Sequence, residues 1–332
     1  MNRWIAGALA SLLCAGAAVA GAPAYKVIDK IPGPDGGWDY LRVDPAHNQL
    51  LVPRGTAVMA VDLATRQVRT GLAPGGRQHI ALPLPGGREM LVTNGADNTA
   101  VFADAVTGAA VASVATGKGP DAAAIEPKSG LIFVMGHSGG DVTFIDPKSH
   151  RAVATVEIGG ALEEGAADGS GRAFVNVEDK NEIAVIDVAA RKVVARWPLA
   201  GCDGPTGLTY DPQDRLLIAA CDGATALVRA DNGKAQLVPT GKGADGVAYD
   251  PKRRLAFTPA GRDGTLSVIG FDKGQGRVVA TVPTQRGART IAIDERTGRL
   301  YLPTAQYQAA ATAGGRPSVV PGTFEVLVVA PQ

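Results

Sequence analysis

The feature that most constrains this chain is a short segment that recurs along it. Each copy is a run of apolar residues ending in an acidic residue, usually followed by proline, as in Leu41–Pro45, Leu208–Pro212 and Val247–Pro251. Weaker copies lie at Ile80–Pro85 and Gly165–Gly169. Taking one marker residue from each copy gives seven copies at intervals of 39 to 44 residues. The markers are Asp44, Leu84, Glu126, Asp168, Asp211, Asp250 and Asp294.

Each copy contains four short β-type segments in the same order. The marker ends the first segment, and a turn leads to an apolar second segment such as Leu131–Val134. An alternating third segment follows, as in Glu182–Asp187, and then a fourth, as in Arg277–Val282. Four strands in about 40 to 45 residues are typical of a β-propeller blade, whereas the 3.6-residue period of a helical repeat is missing. The sequence therefore predicts an all-β, seven-bladed propeller.

The two ends of the chain predict how the propeller closes. The seventh copy supplies strands at Thr290–Ile293, Arg299–Leu302 and Phe324–Val329, but the chain stops before a fourth. The N-terminal segment Tyr25–Gly33 resembles the fourth strands elsewhere, so we expect it to complete the last blade and remove the open sheet edges. An insertion at Gln306–Gly322 is expected to be a surface loop, or alternatively a lid over one face.

The first 24 residues have the pattern of a signal peptide. Arg3 precedes the apolar run Ile5–Ala18, and small-residue sites predict cleavage after Ala20 or after Ala24. The residues before Cys14 do not form a lipid-attachment motif. No later stretch is apolar enough for a transmembrane helix. We therefore expect a periplasmic or secreted protein whose residues 25–332 form a single domain.

The charge balance excludes some functions. The chain has 33 Lys and Arg against 32 Asp and Glu, and loss of Arg3 with the signal peptide leaves 32 of each. A neutral chain with 5% aromatic residues argues against nucleic-acid binding and against a polybasic membrane anchor. Basic residues are expected in the turns of one face, here called the bottom face, and acids on the opposite top face. This polarity would orient a charged partner, or it is the ordinary pattern of solvated turns.

Several segments resemble the YVTN-repeat, or YncE-like, family of exported seven-bladed β-propellers. They are Arg88–Asn94 with Asn98–Val101, Gly117–Ala122 and Gly201–Leu208. The resemblance covers nearly the whole mature chain and implies the fold and export, but no single function. The copies depart from the family pattern where Arg54, Gly136 and Ala220 replace an Asn after the second strand.

The propeller arrangement predicts a ring of residues at the mouth of the central channel. First strands surround the channel, so the residue five places before each marker should lie near the top face. These residues are Asp39, His79, Asp121, Glu163, Thr206, Asp245 and Arg289. All are polar or charged, which indicates either a solvated channel or a site for a small ligand. Oxygen and nitrogen donors suit a divalent metal, for which the candidate ligands are Asp39, His79, Asp121, Glu163 and Asp245.

Two further groups are candidates on the top face. His79, Asp121 and His137 fall in top loops of adjacent blades, so they are either a metal-binding set or solvated loop residues. Cys202 and Cys221 fall in neighbouring loops of the fifth blade, and in an oxidising compartment we expect a disulfide between them. Paired thiols that bind a soft metal are the alternative.

The functional interpretation stays open between two classes. The first is a binding scaffold that presents its top face to a small ligand or a protein partner. The second is a lactonase-type or lyase-type enzyme whose metal lies at the channel mouth, with His79 as base. No nucleophile elbow, phosphate-binding loop or haem motif is present. No cofactor is firmly implied beyond this possible divalent metal.

Overall fold

A computed structural model describes residues 24–308 and 317–332. In this part of the chain, strands form seven four-stranded antiparallel sheets arranged as the blades of a β-propeller. One 3-10 turn, Glu178–Lys180, interrupts the β-structure. The described residues contain no helix long and apolar enough to span a membrane. The predicted signal peptide lies outside the described residues, apart from Ala24.

The blades follow one another in chain order, and each runs from an inner strand at the channel to an outer strand. Blade 1 comprises β2 (Arg42–Asp44), β3 (Gln49–Pro53), β4 (Val58–Asp62) and β5 (Val68–Leu72). Blade 2 comprises β6 (Ala81–Pro83), β7 (Glu89–Asn94), β8 (Thr99–Asp104) and β9 (Ala110–Ala115). Blade 3 comprises β10 (Pro120–Ile125), β11 (Ile132–Gly136), β12 (Asp141–Asp146) and β13 (Arg151–Glu157). Blade 4 comprises β14 (Leu162–Ala167), β15 (Arg172–Val177), β16 (Glu182–Asp187) and β17 (Lys192–Pro198). Blade 5 comprises β18 (Leu208–Asp211), β19 (Leu216–Cys221), β20 (Ala224–Arg229) and β21 (Ala235–Pro239). Blade 6 comprises β22 (Ala248–Asp250), β23 (Leu255–Ala260), β24 (Thr265–Asp272) and β25 (Gln275–Pro283).

The seventh blade joins the two ends of the chain, as the sequence predicted. Its strands are β26 (Ala292–Asp294), β27 (Arg299–Thr304), β30 (Glu325–Pro331) and the N-terminal β1 (Tyr25–Pro32). β1 pairs antiparallel with β30, so Tyr25 lies opposite Pro331 and Pro32 opposite Glu325. The ring is closed by this pairing, which leaves no blade incomplete.

The predicted insertion in blade 7 is only partly described. Tyr307–Gln308 (β28) and Ser318–Val319 (β29) pair as a small two-stranded sheet at its base. Residues 309–316 lie outside the described part. The two described ends of the insertion therefore pair with each other.

Burial explains the strand patterns of each repeat. The second strands, such as β3 and β19, are buried along their whole length because the sheets on both sides cover them, and apart from Gln49 the residues of these two strands are apolar. The outer strands have one solvated face, and β17 alternates between exposed and half-buried positions. Phe102, Phe133 and Phe174 are among the largest fully buried side chains between neighbouring blades.

The recurring acidic markers have a structural role in the turns of the bottom face. Asp44 Oδ1 accepts a hydrogen bond from Ala46 N at 3.0 Å, and Asp250 Oδ1 accepts one from Lys252 N at 2.9 Å. Glu126 makes the same kind of contact with its longer side chain, through Lys128 N at 3.0 Å. These buried carboxylates hold the turn after each inner strand, which explains why an acidic residue recurs there.

Candidate functional site

The structure distributes the seven predicted channel-mouth residues over three local groups. Each residue lies immediately before an inner strand or near its beginning, one per blade. Asp39, His79 and Asp121 lie together. Glu163 lies in a second group, and Asp245 pairs with Arg289 beside a cavity that Thr206 also lines. The five predicted metal ligands are therefore not one shell around a single ion.

The first group, here called the His79 cluster, comprises Asp39, His79 and Asp121. His79 Nδ1 donates a 2.7 Å hydrogen bond to Asp39 Oδ2 and lies 3.1 Å from Asp121 Oδ1. Thr290 Oγ1 donates to Asp39 O, and Thr93 Oγ1 donates to Asp121 O, so threonines of neighbouring blades fix the backbone of both acids. Burial, followed by the nearby carboxylates of Glu163 and Asp39, raises the pKa of Asp121 well above its usual value.

The second group, here called the His137 cluster, comprises His137, Glu163 and Glu178. One donor atom from each residue lies within 4.8 Å of the others. Contact with the Glu163 carboxylate, whose Oε1 lies 3.0 Å from His137 Nδ1, raises the pKa of His137 to about 9 although burial acts in the opposite direction. At neutral pH His137 is therefore the cation of this cluster. Burial, and then Glu163, raises the pKa of Glu178.

His79, Asp121 and His137 do not meet as one set of ligand atoms, although Asp121 and His137 are close enough to shift each other's pKa. His79 contacts Asp121, but His137 contacts Glu163 instead. His137 follows β11 at the top of blade 3, and its ring is directed to the inner strand of blade 4. Sequence spacing alone does not reveal this direction.

Two side chains of blade 1 reach across the channel to blade 4. Tyr40 Oη donates a 2.7 Å hydrogen bond to Oε2 of Glu163 in blade 4, and Arg42 forms an ion pair with Glu164. Glu164 Oε2 also accepts a bond from Leu208 N at 3.3 Å. Burial raises the pKa of both Tyr40 and Glu164 above their ordinary values. We call these four side chains the channel plug, because blade 4 lies opposite blade 1 in a ring of seven.

Sequence reasoning missed the channel plug. One signal for it was present, because Glu163 and Glu164 are consecutive acids in an inner strand where blade 3 has Asp121 and Ala122. Two adjacent carboxylates at buried positions require partners. Nothing in the sequence, however, names residues 123 and 122 positions away as those partners.

The third group is the pair of Asp245 and Arg289. Arg289 Nε donates to Asp245 Oδ2 at 2.6 Å. Burial, followed by Asp39, raises the pKa of Asp245 to about 7 in spite of this cation. Burial acts to lower the pKa of Arg289, but Asp245 and Asp39 outweigh it, so this guanidinium stays charged.

Close packing of two glycines brings Thr206 beside Asp245. A Cβ atom on Gly207 would lie 2.5 Å from the Cα of Gly246, so only glycine permits the inner strands of blades 5 and 6 to approach this closely. The Thr206 side chain is buried at this contact, and its Oγ1 lies 3.5 Å from Ala244 O.

A cavity of about 730 Å³ lies on the top face over blades 4 to 7, and we call it the top cavity. Its wall includes Glu178, Thr206, Asp245, Arg286, Arg289 and Tyr307. A smaller cavity of about 370 Å³ shares Arg289 and Tyr307 and reaches Trp38. The base of the blade 7 insertion therefore borders both cavities.

Of the three arginines that line the top cavity, two form ion pairs with carboxylates and one does not. Arg262 pairs with Asp222 at 3.1 Å and Arg289 pairs with Asp245. Arg286 Nε donates to Arg262 O at 2.9 Å, and no carboxylate of the described residues pairs with its guanidinium. Arg286 is therefore free to receive an anionic group.

The predicted disulfide is confirmed and lies at the rim of this cavity. Cys202 and Cys221 are bonded, with their Cα atoms 5.3 Å apart. The adjacent residues Asp203 and Asp222 line the cavity, and Asp222 N donates to Asp203 O at 2.8 Å. Asp222 in turn pairs with Arg262, so the disulfide ties together two loops that shape the rim.

The basic excess predicted for the bottom face is reduced by local ion pairs. Arg253 pairs with Asp250 at 2.8 Å, and Arg296 pairs with Asp294 at 3.1 Å. These partners are the acidic markers of the same turns. These arginines therefore also stabilise the turns. The bottom face is a weaker candidate than the top cavity for the binding of a charged partner.

Comparisons with known proteins establish the fold. No family model matches the chain, and no curated protein matches its sequence. A chain in the crystal structure of the mitotic checkpoint complex aligns with a TM-score of 0.73 at 13% identity, covering 92% of this chain and 95% of that chain. A chain of Kuenenia stuttgartiensis hydrazine synthase aligns with a TM-score of 0.69 at 14% identity, covering 94% and 99%. At this identity the likeness shows a shared propeller fold alone.

Proposed function

We propose that this protein is an exported propeller of the YVTN-repeat, YncE-like kind that binds a small anionic ligand on its top face. The propeller fold is compatible with a binding scaffold. The top cavity carries the proposal: its volume of about 730 Å³ lies within the range of small-molecule sites, about 300–1,000 Å³. The channel plug joins blade 1 to blade 4 across the channel, apart from the residues that line this cavity.

The arginines of the cavity indicate the class of ligand. Arg286 has no carboxylate partner in the described residues, and Arg289 lies next to it in the wall. A guanidinium presents parallel N–H donors that match a carboxylate. Tyr307 supplies an aromatic face at the same rim. We therefore propose a ligand with at least one carboxylate and a small apolar body.

The disulfide supports export, because such bonds persist in oxidising compartments. Of the two cleavage sites, the one after Ala20 is favoured. Ala24 O accepts a 2.8 Å hydrogen bond from Gln332 N, and cleavage after Ala24 would remove this carbonyl from the mature protein. Mass spectrometry of the exported protein tests this choice.

Titration calorimetry with acetate, succinate and citrate tests the proposed ligand class. We expect the wild-type protein to bind at least one of these carboxylates, and Arg286→Gln to weaken that binding about tenfold. The matched control is Arg277→Gln, since Arg277 is exposed on the outer strand of blade 6 and lines neither cavity. Equal losses in both variants, or no binding by the wild type at millimolar concentration, would refute the proposal.

The contact of His79 with Asp39 and Asp121 favours a second candidate function, a metal-dependent lactonase or lyase. A divalent ion held by these residues would polarise a lactone carbonyl, and water would add across the ester bond to give the hydroxy acid. δ-Valerolactone turnover with added Mn²⁺ tests this function. His79→Gln should abolish it, whereas His47→Gln, which alters a similar His–Asp contact on the bottom face, should not. Absence of turnover in the wild type would reject this function.

A further inference from the structure

We propose that His137, Glu163 and Glu178 form a site for one borderline divalent metal ion, of the Zn²⁺ or Co²⁺ type, beside the top cavity. This site is distinct from the His79 cluster and from the carboxylate subsite at Arg286. It does not depend on which anionic ligand the cavity binds. One imidazole with two carboxylates is a donor set that suits such ions better than Ca²⁺ or Mg²⁺, which prefer oxygen ligands alone.

The spacing of the donor atoms fits a single ion. Two ligands of one ion with bonds of about 2.1 Å, at tetrahedral or octahedral angles, lie roughly 3.0–3.4 Å apart. His137 Nδ1 and Glu163 Oε1 are 3.0 Å apart, and Glu178 completes a set within 4.8 Å. Glu178 is partly exposed, so its side chain is the one of the three with room to move towards an ion.

His137 has an orphaned nitrogen at this point. Its Nδ1 is buried and makes no aligned hydrogen bond, although Glu163 Oε1 is within reach. The ring nitrogen and the oxygen are therefore close without an N–H directed from one to the other. A metal ion between them would take the place of the Nδ1 proton, which is released on binding. His79 differs, because its Nδ1 already donates a good 2.7 Å hydrogen bond to Asp39.

The remaining contacts hold Glu163 in a suitable orientation. Glu163 is 8% exposed, and Tyr40 Oη donates to its Oε2 at 2.7 Å, which leaves Oε1 on the His137 side. Metal-binding carboxylates are commonly fixed by such a second hydrogen bond. Glu178 also lines the top cavity, so an ion held here would have an open coordination position that faces the cavity.

Zinc binding by the full exported chain tests the site. After loading with Zn²⁺ and removal of free metal, elemental analysis should find one ion per chain, and Co²⁺ should give visible d–d absorption. His137→Gln should weaken Zn²⁺ binding at least about 100-fold. The matched control is His150→Gln: His150 Nε2 lies 3.0 Å from Glu89 Oε2 on the bottom face, the same kind of pair without a third ligand. The affinity of His150→Gln for Zn²⁺ should equal that of the wild type. Buffers must be free of citrate, which chelates the metal.

Glu178→Gln serves as the second variant, because its partly exposed side chain is the one least involved in packing. It should lower the affinity at least about tenfold even if His137→Gln fails to fold. The proposal is overturned if the wild type retains no Zn²⁺, or if His79→Gln loses the ion while His137→Gln keeps it. Carboxylate binding at Arg286 is measured separately, so either proposal can fail alone.

Discussion

The hydroxyl of Tyr40 in blade 1 donates a 2.7 Å hydrogen bond to Oε2 of Glu163 in blade 4. The bond joins opposite sides of the channel. It also leaves the other carboxylate oxygen of Glu163 to His137. One contact thus links opposite blades and orients Glu163 in the His137 cluster.

Replacing Tyr40 by phenylalanine should destabilise the protein by about 1.5–3 kcal/mol, because the buried Glu163 carboxylate then loses a charge-assisted hydrogen bond. Denaturant unfolding measures the change. The control is Tyr25→Phe, since the hydroxyl of the buried Tyr25 has no hydrogen-bond partner in the described residues and its removal should be nearly neutral. Equal effects of the two substitutions would argue against the plug.

Removing the disulfide should lower stability by about 3 kcal/mol, because Cys202 and Cys221 are separated by 19 residues and the bond restricts the unfolded chain. The double variant Cys202→Ser, Cys221→Ser is compared with the wild type by thermal unfolding. Reductant should bring the wild type towards the variant and leave the variant unchanged. A wild type indifferent to reductant, with two reactive thiols, would contradict the bond.

Asp245 should make stability fall as the pH rises. Its pKa in the folded protein is about 7, above the ordinary 3.8, so folding favours the protonated form. The stabilisation is complete below pH 4, is lost as the pH rises through 7, and is absent above. Asp245→Asn removes this dependence. Relative to that variant, the wild type should lose roughly 2 kcal/mol between pH 4 and 8, less than the full shift implies because a quarter of the side chain is exposed.

Asp62→Asn is the control with the opposite sign. Backbone N–H groups of Thr65 and Ala64 lower the pKa of this exposed carboxyl, so its contribution is present above its ordinary pKa and is lost as the pH falls. Urea unfolding at several pH values should therefore give a constant difference between Asp62→Asn and wild type from pH 5 to 8. A similarly flat difference for Asp245→Asn would show that Asp245 is ionised throughout.

The N-terminal strand should be essential to blade 7. Ile31 is 4% exposed and packs in the core beside β30, so Ile31→Ala should destabilise the protein by about 2–5 kcal/mol. Ile28 lies on the same strand but is 40% exposed, and Ile28→Ala should change the free energy of unfolding by less than about 0.5 kcal/mol. Chemical denaturation of both variants tests the difference. Two equally small effects would indicate that the strand is dispensable.

The fold was predictable because its repeat has a local physical cause. A buried carboxylate such as Asp250 binds the backbone of its own turn, and the apolar second strand reflects burial on both faces. Both requirements act within a few residues, so they recur visibly at each copy. The same locality made it possible to match Tyr25–Gly33 with the missing strand of the last blade.

The contacts of the site were predictable only in part. The position of each channel-mouth residue follows from the repeat, and Asp39, His79 and Asp121 are indeed neighbours. A side chain crosses the channel only if its length and rotamer allow it, as with Tyr40. Its partner on the other side is more than 120 residues away in the sequence. The direction of His137 towards Glu163 is likewise a tertiary property. The sequence therefore predicted the positions of the channel-mouth residues, but not which of their side chains contact each other.

A crystal structure of the protein grown with saturating citrate tests the central claim most directly. We expect citrate in the top cavity, with a carboxylate within hydrogen-bond distance of the Arg286 or Arg289 guanidinium and with the Tyr40–Glu163 hydrogen bond still present. An empty top cavity, or citrate bound only among the basic turns of the bottom face, would contradict it.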